Sequence, residues 1–321
     1  MNLEQYEQEV EKAIEALEEL ELYRLDSDSE LLNKAFDLLY RREIFALYRV
    51  DKSLHNSYKF ILFSLLTKHS GSLAFLAIQI LASNAIMVTA NFSKQEVYFA
   101  KKCGIAINHL RAPVTVVSAE KCDKGYRLTG RLTWASGYKL FDTLLIGFHY
   151  EGKEYEAMSA FKNSENFRVG SVATSFVGNS MATVNIDLDG FFVPFEDIVS
   201  AKVMGHYTQA KSVSKTVHFA LYGLGIGAVE ALEDMEVKEK ASIGLNLIKD
   251  KFLNTEDGVT MDALRIELFI FIQKVITTGM VLYGGKSILI EEKMQRYYRE
   301  LIMFNSNGLN STIKGLFKAN F

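Results

Sequence analysis

Proline is nearly absent. Pro113 and Pro194 are the only two in 321 residues, where ordinary usage of about 5% would supply roughly sixteen. Proline ends helices and weakens strands, so this chain is expected to run in long uninterrupted elements with few rigid loops. Cysteine is as scarce: Cys103 and Cys122 make no disulfide framework, and their spacing carries no metal signature. Two reduced thiols in or near a core are expected. The six histidines and two cysteines form no ligand cluster in sequence, so no metal is expected. Charge of one sign is also missing, with 36 Lys and Arg against 39 Asp and Glu and no basic block, which argues against a nucleic-acid partner. The N-terminal MNLEQYEQEV lacks the positive n-region and apolar h-region of a secretory signal, and a cytoplasmic protein is expected. Of the apolar runs, Gly71–Ala90 approaches membrane-spanning length. It carries Ser72, Gln79, Ser83 and Asn84, and reads instead as a buried helix running into a strand, with no membrane partner.

What is present is the composition of a globular protein, 49% hydrophobic and 23% charged, which excludes a disordered chain. The length suits about two domains. Residues 1–90 read as helices. Leu3, Tyr6, Val10, Ala13, Leu17 and Leu20 recur at helical spacing, with glutamates on the other faces, which fits a short coiled coil or an acidic outer helix packed on its own domain. Ser27, Asp28 and Ser29 are N-cap candidates for a second helix to about Val50. His55–Leu66 and Ser72–Leu81 are apolar nearly all round and read as interior helices.

Over 91–203 the period changes. Ile105–Leu110, Val114–Ala119, Tyr126–Trp134, Asp142–Tyr150, Glu154–Phe161, Ser171–Val177 and Ala182–Leu188 are short, rich in β-branched and aromatic residues, and separated by turn signals such as Asp123-Lys124-Gly125 and Gly178-Asn179. Strands at this spacing without intervening helices predict a β-barrel or sandwich. From 204 to 321 helices return, at roughly 211–238, 240–252, 259–282 and 290–304. The fold class is thus α+β: an N-terminal helical domain (1–90), a middle β-barrel or sandwich domain (91–203), and a C-terminal domain like a four-helix bundle (204–321).

Within that frame lie three motifs. Gly125-Tyr126-Arg127-Leu128-Thr129-Gly130, running on through Trp134-Ala135-Ser136-Gly137 to Phe141-Asp142-Thr143-Leu144-Leu145-Ile146, resembles the middle β-domain of acyl-CoA dehydrogenases, where G-y-x-l-x-G-x-k-x-W-x-S/T precedes a-d-x-x-l-v. Ala182–Pro194 (ATVNIDLDGFFVP) is similar to the family's v-x-f-d-x-V-x-V-P strand. Tyr283-Gly284-Gly285, then Gln295-Arg296-Tyr297-Tyr298-Arg299-Glu300, are similar to G-G-x-G and e-R-x-x-R-D. The resemblance covers roughly residues 55–310. It implies a flavin, FAD or FMN, between the β-domain and the C-terminal helices. Trp134 would pack near the ring, the Ser136 hydroxyl would bond close to N5, and Gly284 and Gly285 would let the backbone approach the cofactor. A flavin does need an apolar wall and a few placed donors. The same residues also read more plainly: Trp134 as a core aromatic on a strand, the glycines as a helix C-cap.

The sequence departs from the family at several points. Where T-E-P-x-x-G-S-D is expected, the chain reads Cys103-Gly104-Ile105-Ala106-Ile107-Asn108-His109-Leu110. The R-x-x-F-G segment is replaced by Lys238-Glu239-Lys240-Ala241-Ser242-Ile243-Gly244. The base glutamate expected about nine residues after Arg299 is replaced by Ser306-Asn307-Gly308-Leu309-Asn310, and no carboxylate follows Glu300. The alternative base position falls near Ala241, with Glu239 beside it. Relatives also carry longer N- and C-terminal helical parts.

Two readings follow. In one, the chain is a flavin-dependent oxidoreductase of the related monooxygenase branch, which lacks the glutamate and takes reduced flavin from a separate reductase. His109 and His206 are the candidate catalytic histidines, and each also reads as a structural or surface histidine. In the other, it is a non-catalytic scaffold or binding subunit. The substrate class implied is a small molecule or an acyl thioester. A homodimer or homotetramer is implied too, and the helix Leu264–Leu282 is apolar on more faces than a lone monomer would leave exposed. Two further patterns read as structure: Gly223-x-Gly225-x-Gly227 as close helix packing, and Lys293–Arg299 as a solvated helix face.

Overall fold

The computed structural model describes residues 2–112, 114–209, 214–306 and 311–319. Helices α1 (Leu3–Glu18), α2 (Ser29–Arg41), α3 (His55–His69), α4 (Gly71–Thr89) and α5 (Gln95–Phe99) come first. Strands β1 (Cys103–Ala106), β2 (Val117–Cys122), β3 (Gly125–Ala135), β4 (Thr143–Tyr150), β5 (Lys153–Ala160), β6 (Phe167–Val169), β7 (Val184–Pro194) and β8 (Ile198–Val203) follow. Helices α6 (His206–Gln209), α7 (Thr216–Glu230), α8 (Met235–Leu253), α9 (Gly258–Tyr283), α10 (Lys293–Ser306) and α11 (Ser311–Ala319) complete the chain. This is the α+β class read from the sequence. The chain forms two compact units, one of Met1–Phe75, Phe176–Ser180 and Lys211–Phe321, the other of Leu76–Ser175 and Met181–Ala210.

The first unit is helical. Helix α1 opens on an Asn2–Gln5 capping box and buries Tyr6, Val10, Ala13, Ile14 and Leu17, leaving its glutamates outward. The Tyr6 hydroxyl donates to the Ile44 carbonyl at 2.8 Å, so α1 is an outer helix packed on its own unit. Asp28 caps α2 through the Glu30 and Leu31 N–H groups, but the helix stops at Arg41, well short of Val50. Glu43 takes φ +55°, which no α-helix continues. Helices α3 and α7 pack backbone to backbone: a Cβ on Gly223 would stand 2.2 Å from the Phe63 carbonyl oxygen, one on Gly225 would meet Leu245 and Ile272, and one on Gly227 the Tyr297 hydroxyl. The Gly-x-Gly-x-Gly run is therefore a packing device. The expected break near 239 falls instead between Glu230 and Met235, because Asp234 caps α8 through the Val237 N–H. The expected helix start at 211 lies outside the described residues, as do Pro113 and Asn307–Asn310. Helix α9 buries Leu264, Arg265, Ile266, Leu268, Phe269, Ile272, Val275 and Ile276 within this unit, while Ile270, Val281 and Leu282 stay exposed.

Lys293–Arg299 is not a solvated face. Arg296 is buried and donates to the Lys68 and His69 carbonyls at 2.6 and 2.7 Å, covering the orphan carbonyls at the α3 C-terminus. Arg299 donates to the Asp26 carboxylate and the Phe176 carbonyl. Glu300, fully buried, accepts the Gly71 N–H at 2.8 Å at the start of α4. Burial pushes its carboxyl up to about 7, against the pull of Arg296.

The second unit holds the strands. Their order is β6-β7-β3-β2-β4-β5-β8, with β1 parallel to the first half of β4. Strands β2 and β4 share a single residue pair, Ser118 with His149. Two four-stranded halves result, as a sandwich or barrel requires. Tyr126, Phe148, Tyr155 and Phe195 fill one face, with Phe148 and Tyr155 stacked at 5.0 Å. Strand β1 stops at Ala106 and a 3-10 turn covers 108–111, in place of a strand to Leu110. Ser171–Val177 is irregular, the neighbouring strand being the three residues of β6, and β8 has no counterpart among the expected strands. Cys103 is buried and Cys122 half-buried, both free. By length and composition alone, Gly71–Thr89 and Gly258–Ile288 could cross a membrane, but 67% of the apolar window of the first is buried in the protein. Helix α4 runs its full length as helix, and α5 precedes the first strand.

Candidate functional site

The W-x-S-G segment sits at the end of β3, where its geometry departs most from a regular strand. Leu132 pairs with Ile186 and Ala135 with Val184, so Thr133 and Trp134 together face the single residue Asn185. That is a β-bulge, and a bulge turns a side chain out of its normal alternation. Trp134 takes φ +59°, a left-handed conformation that costs a bulky residue about 1–2 kcal/mol. Its N–H donates to Asn185 Oδ1 at 3.3 Å. The indole is 62% exposed, so the reading of Trp134 as a core aromatic is overturned: the largest apolar side chain in the protein is held out toward solvent.

Two residues on, Ser136 is 5% exposed. Its Oγ lies 2.8 Å from Thr183 Oγ1, and either hydroxyl can donate. Gly137 follows at φ +86° and donates its N–H to the Met181 carbonyl at 2.6 Å. A Cβ there would stand 2.3 Å from the Phe141 ring, so glycine is required on both counts. The segment 134–137 is thus fixed by 181–185 at three points. The motif singles out Trp134 and Ser136 in the sequence; Thr183 and Asn185, which contact them here, are not legible there, because those contacts depend on the bulge register.

The two candidate histidines differ. His109 is buried in the 3-10 turn, and its Nε2 lies 2.9 Å from the Gly147 carbonyl. Burial holds its imidazole down at about 4, so at neutral pH it is an uncharged ring donating to a backbone carbonyl. His206 is exposed at the start of α6, its ring edge-on to Tyr207 at 5.4 Å. Gly284 and Gly285 belong to the helical unit, the other four candidates to the strand unit. Gly284 ends α9 at φ +72°, its N–H donating to the Met280 carbonyl, which is helix-cap geometry. Nothing stands within 4 Å of a Cβ built on either glycine, so the backbone there is open to approach. Ala241 is buried on α8 and Glu239 exposed; the segment that replaces the base glutamate runs into the residues outside the description.

No family model matches the chain, and no curated protein sequence matches it. Solved structures do. Glutaryl-coenzyme A dehydrogenase in its glutaryl-CoA complex superposes with a TM-score of 0.80 at 13% identity, over 99% of this chain and 94% of that one. Butyryl-CoA dehydrogenase from Megasphaera elsdenii gives 0.75 at 14%, over 100% and 99%. KijD3 in complex with FMN and a dTDP-linked amino keto sugar gives 0.75 at 12%, over 97% and 93%. The chain has the acyl-CoA dehydrogenase-like fold, which related flavin-dependent monooxygenases share. The match extends through the N-terminal helices, beyond the 55–310 reached by sequence motifs.

Proposed function

We propose that the protein is a flavin-dependent oxidoreductase of acyl-CoA dehydrogenase type, monooxygenase-like or specialised in place of an ordinary fatty acyl-CoA dehydrogenase. The observation that carries this reading is Trp134, held out at positive φ by a bulge, with an ordered hydroxyl on Ser136 two residues away. Local strain of this kind persists only where the surroundings hold it, and it concentrates at ligand sites. The residues of the strand unit suit the ring of FAD or FMN: an exposed indole offers an apolar wall and Ser136 a donor. Bound flavin would supply the two-electron redox chemistry. Trp134 would orient the ring and exclude water from one face, and the Ser136 hydroxyl would hold a hydrogen bond to it. His109 and His206 remain the catalytic candidates of this reading, His206 the better placed because its ring is accessible and His109 is committed to Gly147.

In this reading 1–90, 91–203 and 204–321 would serve as N-terminal, middle and C-terminal domains. The substrate would be a small molecule or an acyl thioester. The partners would be a separate flavin reductase and further copies of the chain, as a homodimer or homotetramer. Ile243 and Leu247 on α8 with Ile270, Val281 and Leu282 on α9 are exposed, and such a surface favours association. The setting would be the cytoplasm. Missing cofactor motifs at Cys103–Leu110 and Lys238–Gly244 favour the second reading, a scaffold or binding subunit without flavin chemistry. Purified protein that is yellow, or takes up FAD or FMN with a shifted flavin band, supports the enzyme; protein indifferent to both flavins supports the scaffold.

A further inference from the structure

We infer that Thr183 and Asn185 are positioning residues of the flavin site, an assignment that rests on the flavin reading above. Both stand on the stretch that leads into and begins β7, at the positions facing the bulge. Each makes one polar contact to the W-x-S segment: Asn185 Oδ1 to the Trp134 N–H at 3.3 Å, and Thr183 Oγ1 to Ser136 Oγ at 2.8 Å.

The bulge explains why Asn185 is needed. In a regular antiparallel ladder every second N–H on β3 would meet a carbonyl on β7. With two residues facing one, a ladder partner is lost and the Trp134 N–H is left without its strand carbonyl. The backbone carbonyl of Asn185 is already taken by the Gly170 N–H at 2.9 Å. Its side-chain oxygen serves Trp134 instead. The acceptor thereby supports the left-handed residue, and the left-handed residue is what directs the indole outward.

Thr183 fixes a proton. A hydroxyl carries one donor and two acceptor sites. If Ser136 donates to Thr183, it has no proton left for a ligand. If Thr183 donates to Ser136, the Ser136 proton is free to point away from the strand pair as a donor. A ring nitrogen of oxidised flavin is an acceptor, so a flavin selects the second arrangement, and Thr183 then holds the Ser136 hydroxyl in its donating orientation. Valine at 183 keeps the shape and removes that donor; serine keeps the donor.

Trp134 is the single tryptophan, so its emission excited at 295 nm reports the site alone. Full-length wild type, T183V, T183S, N185L and N185D are each titrated with FMN and with FAD, following indole emission and the flavin band. Wild type is expected to show quenching on flavin addition. T183V should keep the free-protein emission, bind about tenfold more weakly, the worth of one well-placed hydrogen bond, and lose the shift of the flavin band; T183S should restore both. N185L should shift the free-protein emission and weaken flavin binding, and N185D, which keeps the acceptor, should do neither. Wild-type quenching with T183V and N185L unchanged in affinity and band overturns the positioning roles and leaves the flavin reading standing. No quenching or band shift in wild type with either flavin overturns both, while an N185L emission shift in the same samples still reports the bulge contact by itself.

Discussion

The contact between α3 and α7 gives a quantitative test of the helical unit. Gly223 faces the backbone of α3: a Cβ there would lie 2.2 Å from the Phe63 carbonyl oxygen and 3.0 Å from Ser64 Cα. A carbon beside a carbonyl oxygen normally sits at about 3.3 Å, so Gly223→Ala obliges two helices to part by about 1 Å. Neither neighbouring atom is the end of a flexible side chain, which places the cost at about 3 kcal/mol or more, the top of the range for overpacking. Alanine returns about 1 kcal/mol through helix propensity. A net loss of about 2 kcal/mol is expected, or about 0.7 M in urea midpoint at a slope near 3 kcal/mol/M. Gly225→Ala is the control. Its Cβ would meet Leu245 Cδ1 at 2.9 Å and Ile272 atoms at 3.2 Å, side-chain tips that can move, so gain and cost should nearly cancel. Urea unfolding followed by helical circular dichroism measures both variants. Equal midpoints for Gly223→Ala and wild type, or equal losses for the two variants, would refute the backbone-contact reasoning.

Three further outcomes follow from buried ionisable groups and exposed apolar ones. The Glu300 carboxyl is raised from 4.5 to about 7 by burial, so its ionised form costs about 3 kcal/mol above pH 7, a cost that fades as pH falls and is gone near 4.5. Glu300→Gln keeps an acceptor for the Gly71 N–H and should gain in melting temperature at pH 8 relative to pH 5; an equal loss at both would mean a plain lost contact. His218 donates to the Met261 carbonyl, and burial lowers its imidazole from 6.5 to about 4. Its contribution is present above pH 6.5 and falls away toward pH 4, by about 3 kcal/mol in all. His218→Gln should therefore flatten the acid limb of the stability curve, and parallel curves would count against the assignment. Wild type should elute as a dimer or tetramer in size exclusion, and Ile243→Glu with Leu247→Glu should move it toward the monomer; a wild-type monomer at micromolar concentration would sink the proposed association.

The sequence carried the fold at its periodic elements and lost it where context decides. The stripe of Tyr6, Val10, Ala13 and Leu17 marks α1 because burial on one face at helical spacing leaves that trace. The sequence carries the α2 pattern past Arg41 because Arg42, Glu43 and Ile44 keep the period, and nothing in those residue types announces φ +55°. Strand β6 is three residues, too short for a period. Alternation in Lys153-Glu154-Tyr155-Glu156 suggests solvated glutamates, yet both are buried: Glu154 accepts the Gly205 and Tyr207 N–H groups, and Glu156 accepts from Ser200 and Lys202. A two-period pattern says which side a residue faces, not whether that side is covered. The same limit applies at the site. Trp134 and Ser136 are legible through their motif, whereas Thr183 and Asn185 act only because one extra residue in β3 shifts the register. Lys293–Arg299 looked solvated from its charge, and its arginines are instead bound to main-chain carbonyls and Asp26.

A flavin titration of wild type beside Trp134→Ala bears most directly on the proposed function. Trp134 is largely exposed, so its removal should leave folding stability within about 0.5 kcal/mol while weakening FMN or FAD binding at least about tenfold. Wild type should bind one flavin per chain with quenched indole emission and a shifted flavin band. A wild-type protein that leaves both flavin spectra unchanged, or a Trp134→Ala protein that binds flavin as tightly as wild type, would contradict the assignment of this site to a flavin.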